Sequence, residues 1–344
     1  MRRVRTSATR GQWRFVAATI ASCFGVLATI LALNLVVDPY ALAGTHVAPS
    51  AVETDRAAKL TLIERLKKAP EILVLGSSRS RQAEPSVLQQ LTGHRGFNAG
   101  VTGGSAADAY VFTRLTADRF PKAKRHYVWF VDAGIATNGI NPQLAADSRA
   151  KKYLLGYGGG FGLKDIGTYL STQASRASLR VLDKCVVHTC QAHIRYRADG
   201  SIPHGDLRYL PEQAKNLQAD VAKLVASIRA RPPVRRPVDP RRYAFFEKTL
   251  AFMNARGERP VIVLNPIYPS VLAELDKHGF PERVASLAYL AKLHHRFDFV
   301  LVNCEDIHAW NGSPKDFSNP THVNWRNMRR MLGYIVGHSD DTLR

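Results

Sequence analysis

Glu71-Ile-Leu-Val-Leu-Gly-Ser-Ser78 is the most informative run in this chain of 344 residues. The continuous apolar run at 71–75 is typical of a strand that is buried on both faces of a parallel sheet. The Gly-Ser-Ser that follows indicates a tight turn where the strand ends. Ligands of open α/β sheets bind beyond the carboxyl ends of the strands, so this turn is a candidate functional site.

Further apolar runs predict the rest of the sheet. A short strand is expected near 96–98, and three buried strands at Tyr127–Val131, Pro260–Leu264 and Phe297–Val302. Strands that alternate with helices predict an α/β fold with a doubly wound, mainly five-stranded parallel sheet. The predicted helices cover 54–68, a segment opened by Pro85, 105–118, 212–230, 240–256, 281–295 and 324–337.

About 125 residues separate the third and fourth strands, more than one crossover requires, so we expect a long insertion at about 140–258. It contains a basic, proline-rich connector at 231–237. An exposed loop is the favoured interpretation of this connector, with an anion-binding strip as the alternative.

The first 37 residues predict a membrane anchor. Residues 15–37 carry no charge, and 23 apolar or weakly polar residues can span a bilayer as a helix. We therefore expect a cytoplasmic basic arm at 1–14, a transmembrane helix at 15–37 and an extracytoplasmic domain at 38–344. A buried core helix and a signal peptide cleaved after Ala43 are the alternatives. The arm carries no acid and five arginines, Arg2, Arg3, Arg5, Arg10 and Arg14.

The composition limits the class of partner. At 45% hydrophobic and 22% charged residues, the chain is not a disordered or low-complexity protein. Its 48 Lys and Arg against 28 Asp and Glu give a formal net charge of +20, which indicates an anionic partner. Because the predicted topology places the domain outside the cell, an anionic lipid or an acidic glycan is favoured over nucleic acid.

The four cysteines exclude a small disulfide scaffold. Cys185 and Cys190 flank a short loop, and a local disulfide is the favoured interpretation in an oxidising compartment. Free thiols remain open, as does a metal site completed by His188 and His193. Cys304 ends an apolar strand and is expected to be a buried core thiol. No other cluster has metal-ligand spacing, so we expect neither a metal nor another cofactor.

Three blocks place reactive residue types near strand ends. Ser78 follows the first strand, where turn amides and a helix N-terminus can support an oxyanion. The glycines at 100–104 follow the second strand and allow a backbone N–H to approach a substrate oxygen. His322 lies in a predicted loop before the last helix, where it can serve as a general base for the serine.

This order of blocks resembles the SGNH (GDSL-like) hydrolase superfamily. The resemblance is closer to its membrane-anchored extracytoplasmic branch, which includes the D-alanyl-transfer protein of teichoic acid systems and the partners of membrane-bound O-acyltransferases. Such proteins often have one N-terminal span, an Asp-Pro-Tyr like that at 38–40, and Gly-Ser-Ser-Arg like that at 76–79. The matching blocks are scattered from 38 to 337, and the insertion is not covered.

The resemblance implies that Ser78 is the nucleophile, that His322 is the base, and that the N–H groups of Ser78 and Gly103 form an oxyanion hole. Two positions depart from the superfamily pattern. Asn319 occupies the usual acid position, so either its amide or the carboxylate of Asp316 is expected to support the histidine. The third oxyanion donor has no clear match, and Asn138 is a distant candidate.

The resemblance also implies substrate contacts by Arg79, Asn98 and Asp132. The expected function is an O-acyltransferase or esterase that acts on a cell-envelope or secreted polysaccharide. The expected partners are the bacterial inner membrane, an anionic or neutral glycan acceptor and a membrane-bound O-acyltransferase. A single-pass protein with a periplasmic or other extracytoplasmic main domain is implied. The alternative is a catalytically degenerate subunit that binds glycan or assists assembly.

Overall fold

The computed structural model describes residues 10–39, 43, 45, 55–132, 139–154, 163–187, 196–202, 216–230, 243–278 and 281–344. The chain forms two compact units, one of Met1–Glu53 with Gly159–Ala192 and one of Thr54–Gly158 with His193–Arg344. The predicted connector at 231–237, Asn138 and Cys190 lie outside the described residues, as does the side chain of Cys185.

The described helices and strands have the following bounds. The helices are α1 (Arg10–Val37), α2 (Asp55–Arg65), α3 (Pro85–Thr92), α4 (Ala106–Arg119), α5 (Pro142–Ala146), α6 (Ser148–Lys151), α7 (Leu163–Tyr169), α8 (Thr172–Val187), α9 (Leu217–Ala230), α10 (Ala244–Ala255), α11 (Pro269–His278), α12 (Pro281–Leu293) and α13 (Trp325–Gly337). The strands are β1 (Ile72–Leu75), β2 (Gly96–Asn98), β3 (His126–Val131), β4 (Pro260–Leu264), β5 (Val300–Asn303), β6 (Phe317–Asn319) and β7 (His322–Val323).

In the first unit, α1 contains the predicted span. Its segment Gly11–Val37 is long and apolar enough to cross a membrane, and the most apolar window of this segment has a mean hydropathy of 2.3. Only 11% of the most apolar window is buried, which argues against the core-helix alternative. At the carboxyl end of α1, the Asn34 amide donates to the carbonyl of Tyr169 at 2.6 Å, and the Asp38 carboxylate accepts from the Tyr169 hydroxyl.

The second unit is built on a five-stranded parallel sheet, as predicted. Its strand order is β2-β1-β3-β4-β5. Successive β1 residues alternate between two apolar cores, with Ile72 in one and Leu73 in the other. Helices therefore cover both faces of the sheet: α3, α9, α11 and α13 pack on one side, and α2, α4, α10 and α12 on the other.

Two predictions about local structure were wrong. β5 starts at Val300 rather than at Phe297, because the Phe297 N–H donates to the Leu293 carbonyl at the end of α12. The segment before the last helix is not a loop. It contains the antiparallel hairpin of β6 and β7, which pairs Phe317 with Val323.

Candidate active site

Ser78 lies at the turn that follows β1, an inner strand of the sheet. The turn begins at Gly76, whose φ of +142° is one that L side chains rarely adopt. A Cβ at Gly76 would lie 2.8 Å from the carbonyl oxygen of Phe130. Ser77 then caps a short 3-10 helix at Ser78–Ser80, because its hydroxyl accepts from the Arg79 N–H at 3.4 Å. The half-buried Ser78 is thus the first residue of this helix, at the carboxyl end of the sheet.

The β6–β7 hairpin brings His322 to Ser78. Nε2 of His322 lies 2.8 Å from Oγ of Ser78, although 244 residues separate the two in the chain. This distance is within the range of a nucleophile–base hydrogen bond. The two residues that the sequence singled out as nucleophile and base are therefore in direct contact.

Asn319 contacts the other nitrogen of the ring. The hairpin pairs Asn319 with His322, and Oδ1 of Asn319 lies 3.0 Å from Nδ1. The orientation of the amide is fixed, because Oδ1 also accepts from the Thr321 N–H at 3.0 Å. An amide oxygen only accepts hydrogen bonds, so Nδ1 carries the proton and Nε2 is left to accept from the Ser78 hydroxyl.

The imidazole of His322 is held neutral. Burial is the main reason that the pKa of His322 falls from 6.5 to about 4; the positive charges of Arg79 and Arg81 contribute to the fall, and the Asp132 carboxylate opposes it. Charged imidazolium is disfavoured when water is excluded, and among the described residues no carboxylate bonds to the ring to compensate. At neutral pH the ring is therefore able to take a proton from Ser78.

Asp316 does not support His322. Its carboxylate accepts from the Arg330 guanidinium at 2.7 Å and from the Asn324 amide at 3.1 Å. Burial would raise the pKa of Asp316, but these hydrogen bonds hold the pKa below its ordinary value. Of the two candidates for the supporting residue, Asn319 contacts the ring, and Asp316 instead connects the start of the hairpin to α13.

Arg79 and Asp132 form an ion pair beside the Ser78–His322 pair. Nη1 of Arg79 lies 3.1 Å from Oδ1 of Asp132. The Asn265 amide donates to the same carboxylate oxygen at 2.9 Å, and the Ser77 hydroxyl donates to the other at 3.4 Å. Sequence reasoning missed Asn265. It directly follows β4, so the strand-end rule that selected Ser78 and Asp132 also applied to it.

Asn98 does not face a substrate. Its exposed fraction is 0%, and its amide donates to the carbonyls of Ser80 and Ala83 at 2.9 and 2.7 Å. Its Oδ1 accepts from the Gly100 N–H at 2.8 Å. Both polar atoms of the Asn98 side chain form hydrogen bonds inside the protein, so the side chain stabilises the turn and the loop instead of making the predicted substrate contact.

The glycine-rich loop at 100–104 lies against the Ser78 turn. A Cβ at Gly104 would lie 2.4 Å from the Gly76 carbonyl, so only glycine permits this approach. Gly103 has a φ of +60° and is exposed. Within the described part of the chain, no hydrogen-bond acceptor is paired with the Gly103 N–H. This amide is thus a candidate oxyanion donor.

The described residues contain no group of three or more His, Cys, Asp or Glu placed to hold a metal ion. Cys304 is fully buried, as predicted, and burial raises the pKa of its thiol to about 12. No family model and no curated protein matches this chain.

Proposed function

We propose that this protein is a membrane-anchored acyl-transfer enzyme, an O-acyltransferase or esterase of the SGNH type, that acts on a cell-envelope or secreted polysaccharide. The contact between Oγ of Ser78 and Nε2 of His322 at 2.8 Å carries the proposal. It is supported by the neutral ring and by Asn319, which fixes its tautomer. Serine, base and orienting residue have the arrangement of a catalytic triad, with an amide in place of the acid.

In the first half of the proposed reaction, Oγ of Ser78 attacks the carbonyl carbon of an acyl donor. Nε2 of His322 takes the hydroxyl proton, and the N–H groups of Ser78 and Gly103 stabilise the oxyanion. The tetrahedral intermediate then collapses. The bond from carbon to the leaving oxygen breaks, His322 returns its proton to that oxygen, and the acyl group remains on Ser78.

In the second half, a hydroxyl oxygen attacks the acyl carbon while His322 takes its proton. A glycan hydroxyl gives transfer, and water gives hydrolysis. The bond to Oγ of Ser78 breaks, and the proton goes back to Oγ. Asn319 keeps Nδ1 protonated but brings no full negative charge, so the imidazolium is less stabilised than in a triad with Asp.

The proposed location and partners follow from α1 and the charge. α1 anchors the chain in the bacterial inner membrane, with the arm at 1–14 in the cytoplasm and the main domain, including the insertion at about 140–258, in the periplasm or another extracytoplasmic space. The net charge of +20 suits an anionic glycan or lipid surface. By resemblance, a membrane-bound O-acyltransferase is the proposed partner.

A fluorophosphonate probe tests the serine chemistry in the full-length protein. The proposal predicts that the probe labels Ser78, that Ser78→Ala abolishes labelling, and that Ser86→Ala retains it. Ser86 is the control, since it is a nearby serine that is exposed on α3. An unlabelled natural protein would support the alternative of a degenerate glycan-binding subunit, in which the missing negative charge at position 319 leaves the site inactive.

Acyl analysis of the cell's polysaccharide tests the biological reaction. Cells that carry Ser78→Ala as the sole copy should show an altered acyl content, and cells that carry Ser86→Ala should not. An unchanged acyl content in the Ser78→Ala cells would refute action on a polysaccharide.

A further inference from the structure

One helical turn of α2 carries three buried charged residues. The exposed fractions of Asp55, Arg56 and Lys59 are 6%, 3% and 0%. Charged side chains are almost never buried this far unless they are paired, so each of these three side chains should have a partner inside the protein.

Each of the three side chains holds a residue of the glycine-rich loop. The Asp55 carboxylate accepts from the N–H of Thr102 at 2.8 Å and from its hydroxyl at 2.5 Å. The Arg56 guanidinium donates to the carbonyl of Gly103 at 3.1 Å. The Lys59 amine donates to the carbonyl of Gly100 at 2.5 Å. Side chains from one turn of α2 thus form hydrogen bonds to Gly100, Thr102 and Gly103 of the loop.

Asp108 holds the Arg56 side chain in position. Arg56 makes two bonds to the Asp108 carboxylate, at 2.6 and 3.1 Å, and Asp108 lies in the first turn of α4, where the loop ends. Planar, two-bond pairing fixes the direction of a guanidinium, so the second N–H of Nη2 is aimed at the Gly103 carbonyl.

The same cluster reaches the Ser78 turn. Arg81, which ends the 3-10 helix begun by Ser78, donates to the Thr102 hydroxyl at 2.8 Å and lies 3.5 Å from the Asp55 carboxylate. The Ser78 turn and the loop are therefore tied to one buried charge, that of Asp55.

We propose that Asp55, Arg56 and Lys59 are positioning residues, which hold the Gly103 amide in place as an oxyanion donor for Ser78. The N–H of Gly103 lies between two anchored groups, the N–H of Thr102 and the carbonyl of Gly103. A donor that is fixed before the reaction costs no reorganisation when the oxyanion forms. This inference rests on the proposed acyl-transfer function.

The test compares two double variants of the full-length protein by their rates of fluorophosphonate labelling. Arg56→Met with Asp108→Asn removes the hydrogen bond to the Gly103 carbonyl without leaving an unpaired buried charge. Arg283→Met with Glu305→Gln is the matched control, since that pair has the same two-bond geometry, at 2.9 and 2.8 Å, and does not contact the loop. We expect labelling to slow about 10- to 100-fold in the first variant and to stay unchanged in the control.

Substitutions of Asp55 provide a second measurement if the double variant does not fold. Asp55→Ala should slow labelling, and Asp55→Asn should restore most of the rate, because its amide oxygen still accepts from Thr102. A role limited to balancing the charge of Arg81 would not be rescued by Asn. Equal rates in the Ala and Asn variants would overturn the inference.

The outcomes separate the two proposals. If the natural protein is labelled and the Arg56 and Asp108 changes slow labelling no more than the control changes do, only the positioning role is overturned. If the natural protein is not labelled at all, the acyl-transfer function fails and the positioning role fails with it.

Discussion

Oδ1 of Asn319 lies 3.0 Å from Nδ1 of His322, directly across the β6–β7 hairpin. The contact orients the imidazole but adds no negative charge, and burial lowers the pKa of His322 to about 4. A base of this kind stays unprotonated well into the acid range, so the contact has a direct effect on the dependence of rate on pH.

Asn319→Asp should move the acid limb of the pH–rate profile. A carboxylate beside the ring favours the imidazolium and raises the pKa of His322 by about 1 to 3 units. The limb, expected near pH 4 in the natural protein, then shifts upward by that amount, which the rate of labelling at Ser78 measures. Asp316→Asn is the control and should leave the limb in place, since Asp316 bonds to Arg330. Superimposable profiles for Asn319→Asp and the natural protein would contradict the assigned contact.

Arg79 and Asp132 should act on the same limb with opposite signs. The guanidinium lowers the pKa of His322 and the carboxylate raises it. Arg79→Gln is therefore expected to shift the limb upward, and Asp132→Asn to shift it downward. Shifts in the same direction would show that the pair acts on His322 by some means other than its charge.

Lys59 should make stability depend on pH in the alkaline range. Burial lowers the pKa of Lys59 to about 7; the carboxylates of Asp55 and Asp199 oppose the shift and Arg81 adds to it, while the Tyr196 ring lies 5.0 Å from the amine. Above pH 7 the folded protein has lost a proton that the unfolded chain keeps up to about pH 10.5, so the free energy of unfolding rises with pH.

Urea unfolding at pH 7 and about pH 9.5 should show this rise in the natural protein and not in Lys59→Met. The exposed Lys122 gives the matched control, and Lys122→Met should behave like the natural protein. A rise of equal size in Lys59→Met would assign the effect to other groups.

Two glycine-to-alanine changes should have opposite effects. Gly104→Ala places a Cβ 2.4 Å from the Gly76 carbonyl and forces the loop away from the Ser78 turn, which should cost about 1–3 kcal/mol and slow labelling. Gly333→Ala lies in α13 with nothing within 4 Å, so it should stabilise the protein by up to about 1 kcal/mol. Thermal unfolding measures both changes, and equal destabilisation would contradict the close approach of loop and turn.

The sequence was enough to predict the sheet, because buried parallel strands appear as continuous apolar runs. The strand-end rule selected Ser78. The order of the blocks and the family resemblance selected His322 as its partner, and the structure brings the two side chains into contact. The choice between Asn319 and Asp316 was out of reach, because it depends on the register of a hairpin that was predicted as a loop. Asp316 and Asn319 are only three residues apart, and the register of the hairpin places Asn319 opposite His322.

The burial of three charged side chains in α2 could not be predicted from the sequence either. Asp55, Arg56 and Lys59 are residue types that usually lie on the surface, so their burial in α2 was not predicted. Their partners belong to a loop about 45 residues further along, and the pairing exists only once β2 and α4 are in place. Asn98 was misjudged for the same reason, since its burial depends on the turn at Ser80.

The 244-residue separation of Ser78 from His322 has a consequence for biosynthesis. A ribosome makes Ser78 long before it makes His322, so the serine hydroxyl of a nascent chain does not yet have its Nε2 partner. Under the proposed acyl-transfer function, covalent labelling of Ser78 therefore serves as a probe of complete folding, and fragments that lack the β6–β7 hairpin should not be labelled.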